Sequence, residues 1–151
     1  MPEYSIIEID NNTIDLLSPF AEEALEDNDT FMQRTIDEWK SGKNTFSKEG
    51  EKFWGLMIQN ELVAVGGLNI DPFVDDPTVG RVRHVYVLKK YRGLGLSKIL
   101  MKMIIDKAKQ HFKILRLSTH NPVAASLYES LGFEKAEGHK VTHIIEDLSQ
   151  I

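Results

Sequence analysis

Residues 85–97 read Val-Tyr-Val-Leu-Lys-Lys-Tyr-Arg-Gly-Leu-Gly-Leu-Ser. Val85 and Val87 close a strand that the sequence places at about Gly80 to Leu88. Lys89 to Gly95 is a turn, and Leu96, Ile99, Leu100, Met103 and Ile104 then recur at helical spacing. Gly93 and Gly95 let the backbone take positive φ and come close to a ligand. The unbonded amides of the helix's first turn face the same space, backed by about half a positive charge from the helix dipole. A strand, glycine turn and helix start of this kind can cradle an anion, although two glycines also suit a plain tight turn. Spacing argues against both familiar nucleotide motifs. Lys98 occupies the place of the third glycine of a dinucleotide fingerprint, the expected acid near Leu115 is missing, and no Gly-Lys-Ser/Thr closes the loop.

Charge points to the same place. The chain of 151 residues has a net charge of −5, which argues against a nucleic-acid or anionic-membrane binder. Residues 1–80 carry 5 basic and 17 acidic side chains, residues 81–105 carry 7 basic and no acidic ones, and residues 106–151 carry 6 of each. A basic stretch inside an acidic chain suits a small anionic ligand, because a local field reaches only ~8 Å at physiological salt.

With 42% apolar and 27% charged residues, the length suits one domain, 1–151, with an adequate core. There is no cysteine, which removes disulfides, thiolate metal sites and thiol nucleophiles and fits a reducing cytoplasm. The acidic start MPEYSIIEIDNNTIDLL lacks the basic and apolar regions of a secretory leader. No run approaches the ~20 apolar residues of a membrane span.

Upstream of the basic stretch, Tyr4–Ile9 reads as a strand and Ile14, Leu17, Ala21, Ala24 and Leu25 as one helix face. A second helix has Thr30 as its cap and Ser41-Gly42 as its stop, and Phe53–Gln59 and Leu62–Asn69 form a hairpin turning at Asn60-Glu61. Downstream lie a strand at Ile114–Thr119 and a helix from Asn121-Pro122 to Leu131-Gly132. Phe133 and Val141–Leu148 supply closing strands. The order predicts a mixed α/β domain whose centre is a strand-turn-helix-strand unit coinciding with the basic stretch.

The first motif and the later Asn121-Pro-Val-Ala-Ala-Ser-Leu-Tyr-Glu-Ser-Leu-Gly-Phe133 together resemble the GNAT superfamily of acyl-coenzyme A dependent N-acetyltransferases. The family signature Arg/Gln-x-x-Gly-x-Gly/Ala is met by Arg92 and Gly95, with Ser97 in the last place. The resemblance implies the GNAT-like fold, a central, mostly antiparallel twisted sheet flanked by helices. It further implies that acetyl-coenzyme A is the cosubstrate, with no metal. Backbone amides of Arg92, Gly93, Leu94, Gly95, Leu96 and Ser97 would hold its pyrophosphate. The strand at Val85 and Val87 would bind its pantetheine arm, and a strand amide near Val87 the carbonyl oxygen. Asn121 would contact the arm while capping its helix, and Tyr128 would protonate the leaving sulfur; by pattern alone Tyr128 is also a core aromatic. Lys89, Lys90 and Lys98 are candidates for the adenosine phosphates.

The family's usual glutamate base is replaced by Arg81, leaving His84 as the nearest titratable group, with His120, Glu129 and His143 further off. The acceptor is expected to be a primary amine of a small molecule or peptide. The acids Glu22, Glu23, Glu26, Asp27, Asp29, Asp71, Asp75 and Asp76 would favour a cationic one. No nucleic-acid or membrane partner is expected, and a homodimer is compatible with the sequence. The competing reading is a non-catalytic acyl-coenzyme A binding or regulatory module.

Overall fold

The computed structural model describes residues 3–151. Its elements are β1 (Ser5–Glu8), a 3-10 turn (Ile14–Leu17) running into α1 (Ser18–Glu26), α2 (Phe31–Ser41), β2 (Lys52–Ile58), β3 (Glu61–Ile70), β4 (Val79–Val87), α3 (Leu96–Ala108), β5 (Ile114–Leu117), α4 (Pro122–Ser130), β6 (Glu134–Lys135) and β7 (His143–Ile145). The strands form one sheet in the order β1-β2-β3-β4-β5-β7-β6. All neighbours are antiparallel except β4 and β5, so the class is the mixed one that the element order predicts, with the mostly antiparallel sheet that the family resemblance implies. No helix among the described residues is long and apolar enough to cross a membrane.

Alternation along the strands divides the core between two faces. Phe53 and Val65 pack with Phe20, Met32, Ile36 and Trp39 of α1 and α2, whereas Trp54, Leu68, Val82 and Leu115 pack with Met101, Ile104 and Ile105 of α3 and Tyr128 of α4. A third cluster joins Leu56, Val63 and Val87 to Leu96 and Leu100 at the start of α3. Burying leucine-sized side chains at ~1.5–3 kcal/mol each is what holds the helices on the sheet.

Local details differ from the sequence reading for identifiable reasons. The hairpin turns one residue earlier, at Gln59 and Asn60, which both have positive φ (50° and 65°), so Glu61 already opens β3. Two positive φ values make the hairpin turn whose twist matches the strands it joins. The start of α2 is held by the Asp29 carboxylate, which accepts from the Phe31 amide at 3.0 Å, and the Thr30 side chain caps nothing. Leu25, expected on the apolar face of α1, is 61% exposed.

Two irregularities of β4 shape everything that follows. Val65 pairs with Tyr86 but Gly67 pairs with Arg83, so β4 carries an extra residue there, and His84 has a φ of 58°. Such a bulge re-aims the side chains around it. On the other side, β4 pairs with β5 only from Val79 to Arg81. Beyond Arg81 the two parallel strands part, leaving one edge of β4 open.

Candidate active site

The open edge leads into the glycine turn. Leu88 donates its amide to Val63 of β3 at 3.0 Å. By strand alternation, Tyr86 also faces β3, while the N–H and C=O groups of Val85 and Val87 face the open side. The Val87 carbonyl is taken by the Arg92 side chain, whose Nε donates to it at 2.9 Å while the guanidinium lies 5.2 Å from the Tyr86 ring centre. No described acceptor takes the Val87 amide. Gly93 and Gly95 have φ of 82° and 79°, and Gly95 forms the left-handed cap of α3. Among the described residues none of the amides from Gly93 to Lys98 donates to a protein acceptor. The chain thus brings together Val85, Val87 and the amides of Gly93, Leu94, Gly95, Leu96 and Ser97 in one continuous run at the end of β4. This run fits an extended polyphosphate ligand through its backbone, by the anion preference of helix starts.

The lysines beside it contribute less than their charge suggests. Lys89 Nζ is 2.9 Å from Asp27 and Lys90 Nζ is 3.2 Å from Glu61, so both are already paired at the surface. Lys98 makes no ion pair among the described residues.

Tyr128 lies on α4, buried in the same cluster as Val82, Leu117 and Phe133, with its ring centre 5.9 Å from that of Phe133. Burial alone pushes its phenol above the ordinary value, with no hydrogen bond contributing, so it remains protonated throughout the neutral range. The core reading and the proton-donor reading of this tyrosine are therefore compatible. Asn121 caps α4, its Oδ1 accepting from Val123 at 2.9 Å and from Ala124 at 3.3 Å. The cap leaves its Nδ2 donors unspent.

His84 belongs to the opposite face of the sheet. Phe31 stacks on its ring at 5.8 Å and the Phe46 ring crosses it at 6.2 Å. Its Nε2 is buried without a partner. Burial first, then Arg83, Arg34 and Arg81, pull its pKa down to about 3, so the imidazole is neutral at working pH. A base this weak cannot take a proton from an ammonium at equilibrium, but it can accept a hydrogen bond. One stability prediction follows. Unfolded, the ring protonates near 6.5; folded, only near 3. Between those values the unfolded chain binds the extra proton, so as the pH falls the native state loses about 1.4 kcal/mol per pH unit, and above the upper value the group contributes nothing. Urea unfolding of the protein and of His84→Gln should therefore give a stability difference that falls by about that slope from pH 6 to pH 4. A difference independent of pH would mean that the imidazole is not held neutral.

The remaining base candidates are engaged elsewhere or remote. His143 Nε2 and Glu129 pair with each other at 2.9 Å, and His120 is exposed. Arg81 is buried, with its Nη1 3.4 Å from Asp71, and Arg116 Nε approaches the same carboxylate at 3.4 Å. Sequence reading missed this pair of guanidiniums on one buried acid. Several acids expected to frame the acceptor have other duties. Glu23 accepts from the Tyr86 hydroxyl at 2.8 Å and from the Lys89 amide, and Asp76 accepts from Thr78. Glu22, Glu26 and Asp75 are exposed.

The model of the Acetyltransferase (GNAT) family matches residues 12–133. Human N-acetyltransferase 8B is 34% identical over 109 residues, covering 68% of this chain and 46% of that protein. The uncharacterized N-acetyltransferase YjgM of Escherichia coli strain K12 is 33% identical over 93 residues, 59% of this chain and 54% of that one. The chain thus spans about half the length of the curated relatives it matches. A crystal structure assigned as an acetyltransferase, from Exiguobacterium sp. 255-15, superposes with a TM-score of 0.85 at 25% identity, covering 97% of this chain and 95% of that one. The Escherichia coli ribosomal-protein-S18-alanine N-acetyltransferase shares the fold, with a TM-score of 0.69 at 16% identity over 94% of this chain and 89% of that one. The family match spans residues 12–133, a range that includes the opened strand, the glycine turn and Tyr128, and on that ground the chain belongs to the GNAT family of acetyltransferases.

Proposed function

We propose that this chain transfers the acetyl group of acetyl-coenzyme A to a primary amine of a small molecule or peptide, by direct attack with both substrates bound. The observation that carries this reading is the open edge of β4, which runs into a turn and helix start whose amides from Gly93 to Ser97 are unspent, whereas the Arg92 amide, expected among them, donates to the Lys89 carbonyl at 3.2 Å. Acetyl-coenzyme A supplies an activated thioester. On this reading the amides from Gly93 to Ser97 hold its pyrophosphate, Val85 and Val87 bind its arm as an added strand would be bound, and Asn121 steadies it through Nδ2. The unspent Val87 amide faces the developing negative charge on the carbonyl oxygen. The amine nitrogen gains the acyl carbon and the sulfur leaves. The Tyr128 hydroxyl gives that sulfur its proton, the nitrogen's surplus proton goes to water, and water returns one proton to the tyrosinate, so the cycle closes.

The placement of the two catalytic candidates supports this division of labour. His84 packs with the α1 and α2 side of the sheet and Tyr128 with the α3 and α4 side. An amine approaching past His84 and a sulfur departing towards Tyr128 would lie on different sides of the opened strand, so the two groups would not compete for space. His84 orients an N–H of the neutral amine and removes no proton at equilibrium. An α-amine is about a tenth neutral at pH 7, against about one in 2,500 for a lysine-like amine, so the former tolerates the missing base far better.

Initial rates measured with both substrates varied should give intersecting double-reciprocal lines, with thiol released only when an amine is present. Parallel lines would overturn direct attack. Binding of acetyl-coenzyme A without amine-dependent release would favour the non-catalytic module.

A further inference from the structure

Arg83 is a guanidinium without a counter-ion. It projects from the bulge of β4 into a cavity of about 460 Å³ bounded by Asn44, Asn69, Asp71 and Phe73, a volume within the usual range for a small-molecule site. It makes no ion pair among the described residues, and its one hydrogen bond, from Nη1 to the Asn69 Oδ1, is long at 3.4 Å. A guanidinium offers five N–H donors in a planar fork, so most of this one is unspent. Burial disfavours its charge.

None of the carboxylates around the cavity forms an ion pair with it, because each has other partners. Asp71 lies between Arg81 and Arg116 and accepts from the Phe73 amide at 2.9 Å. Glu51 accepts from the Asn69 side chain at 3.0 Å, the Ile70 amide at 2.9 Å and the Lys48 amide at 3.1 Å. Glu38 is 3.5 Å from Lys43. Glu38, Asp71 and Glu51 act on Arg83 without pairing with it, Arg34 of α2 opposes them, and His84 beside it is neutral. A planar fork with spare donors at the wall of a cavity is the chemistry that holds a carboxylate in two parallel hydrogen bonds.

We propose that the acceptor is an amine that also bears a carboxylate, and that Arg83 binds that carboxylate in this cavity and so sets acceptor specificity. The inference rests on the acetyltransferase reading above and names its substrate class. It also revises what the acidic composition suggested: the acceptor carries its positive charge only on the reacting amine, and its other end is an anion.

The test uses matched amines that differ only in carrying a carboxylate or the corresponding carboxamide, at α, β, γ and longer spacings from the nitrogen, with thiol release as readout. The wild-type protein should prefer the carboxylate member of at least one pair by tenfold or more in kcat/KM, with most of the difference in KM. Arg83→Gln should collapse that ratio to near one, and Arg83→Lys, which keeps the charge but loses the fork, should retain part of it. Thermal unfolding checks that both variants fold. Equal or better turnover of carboxamides or diamines by the wild type would overturn the inference while leaving the acetyltransferase reading intact, as would an unchanged ratio in Arg83→Gln. No thiol release with any amine would instead overturn the reading beneath it, and the inference with it.

Discussion

Tyr128→Phe should lower kcat by about 100-fold or more, the usual range for losing a positioned proton donor, while KM for acetyl-coenzyme A changes by less than about twofold. The phenyl ring keeps the packing against Phe133 and the Val82–Leu117 cluster, so only the hydroxyl is removed. That hydroxyl contributes no hydrogen bond that would shift the phenol's own titration, so its loss should leave the unfolding temperature unchanged or slightly raised. A phenol near 10 giving its proton to a thiolate near 8.5 is uphill by ~1.5 pH units before burial acts. Burial raises the phenol further, and a thiolate in the same apolar setting is raised with it, so the gap stays small. Equal turnover in the two proteins would remove Tyr128 from the chemistry and leave it a core aromatic.

The second large effect separates ligand binding from folding. Ser97 is the second residue of α3, among the unspent amides. Ser97→Glu places a carboxylate where the helix dipole favours one, which should hold or raise stability by about 0.3–1 kcal/mol. The same carboxylate would repel a bound pyrophosphate, and like charges brought together in a binding site cost several kcal/mol. A rise of about 100-fold in the Kd for coenzyme A is expected, equivalent to about 2.7 kcal/mol. Ser97→Ala, which keeps the amide, should bind within a few-fold of the wild type. Opposite signs for stability and affinity in one variant are hard to produce by general damage. Unchanged affinity in Ser97→Glu would place the pyrophosphate elsewhere.

What the sequence reveals and what it conceals divide along a physical line. Gly93, Gly95, Pro122 and the apolar spacing of α3 are local signals, because φ limits and helical period act within a few residues, and they located the turn and both central helices. The basic stretch located the same turn, yet its lysines proved secondary: Lys89 and Lys90 pair with Asp27 and Glu61, which lie far away in sequence. Long-range pairing also hid the Asp71 contact with Arg81 and Arg116. Simple alternation along β4 cannot assign Arg83 and His84 to a face, since the bulge between Arg83 and Tyr86 breaks the period of two. Arg83 lines the cavity from beside that break, and no residue spacing announces it.

The central claim is that the opened edge of β4 and its glycine turn present an acetyl group to an amine. It is tested most directly by incubating the protein with acetyl-coenzyme A labelled in the acetyl carbonyl carbon, together with a carboxylate-bearing amine, and following the label. The account predicts that the label passes to the amine nitrogen as an amide, one per coenzyme A released, at a rate that rises with amine concentration. Label that remains on coenzyme A, or leaves as acetate at a rate indifferent to the amine, would contradict it.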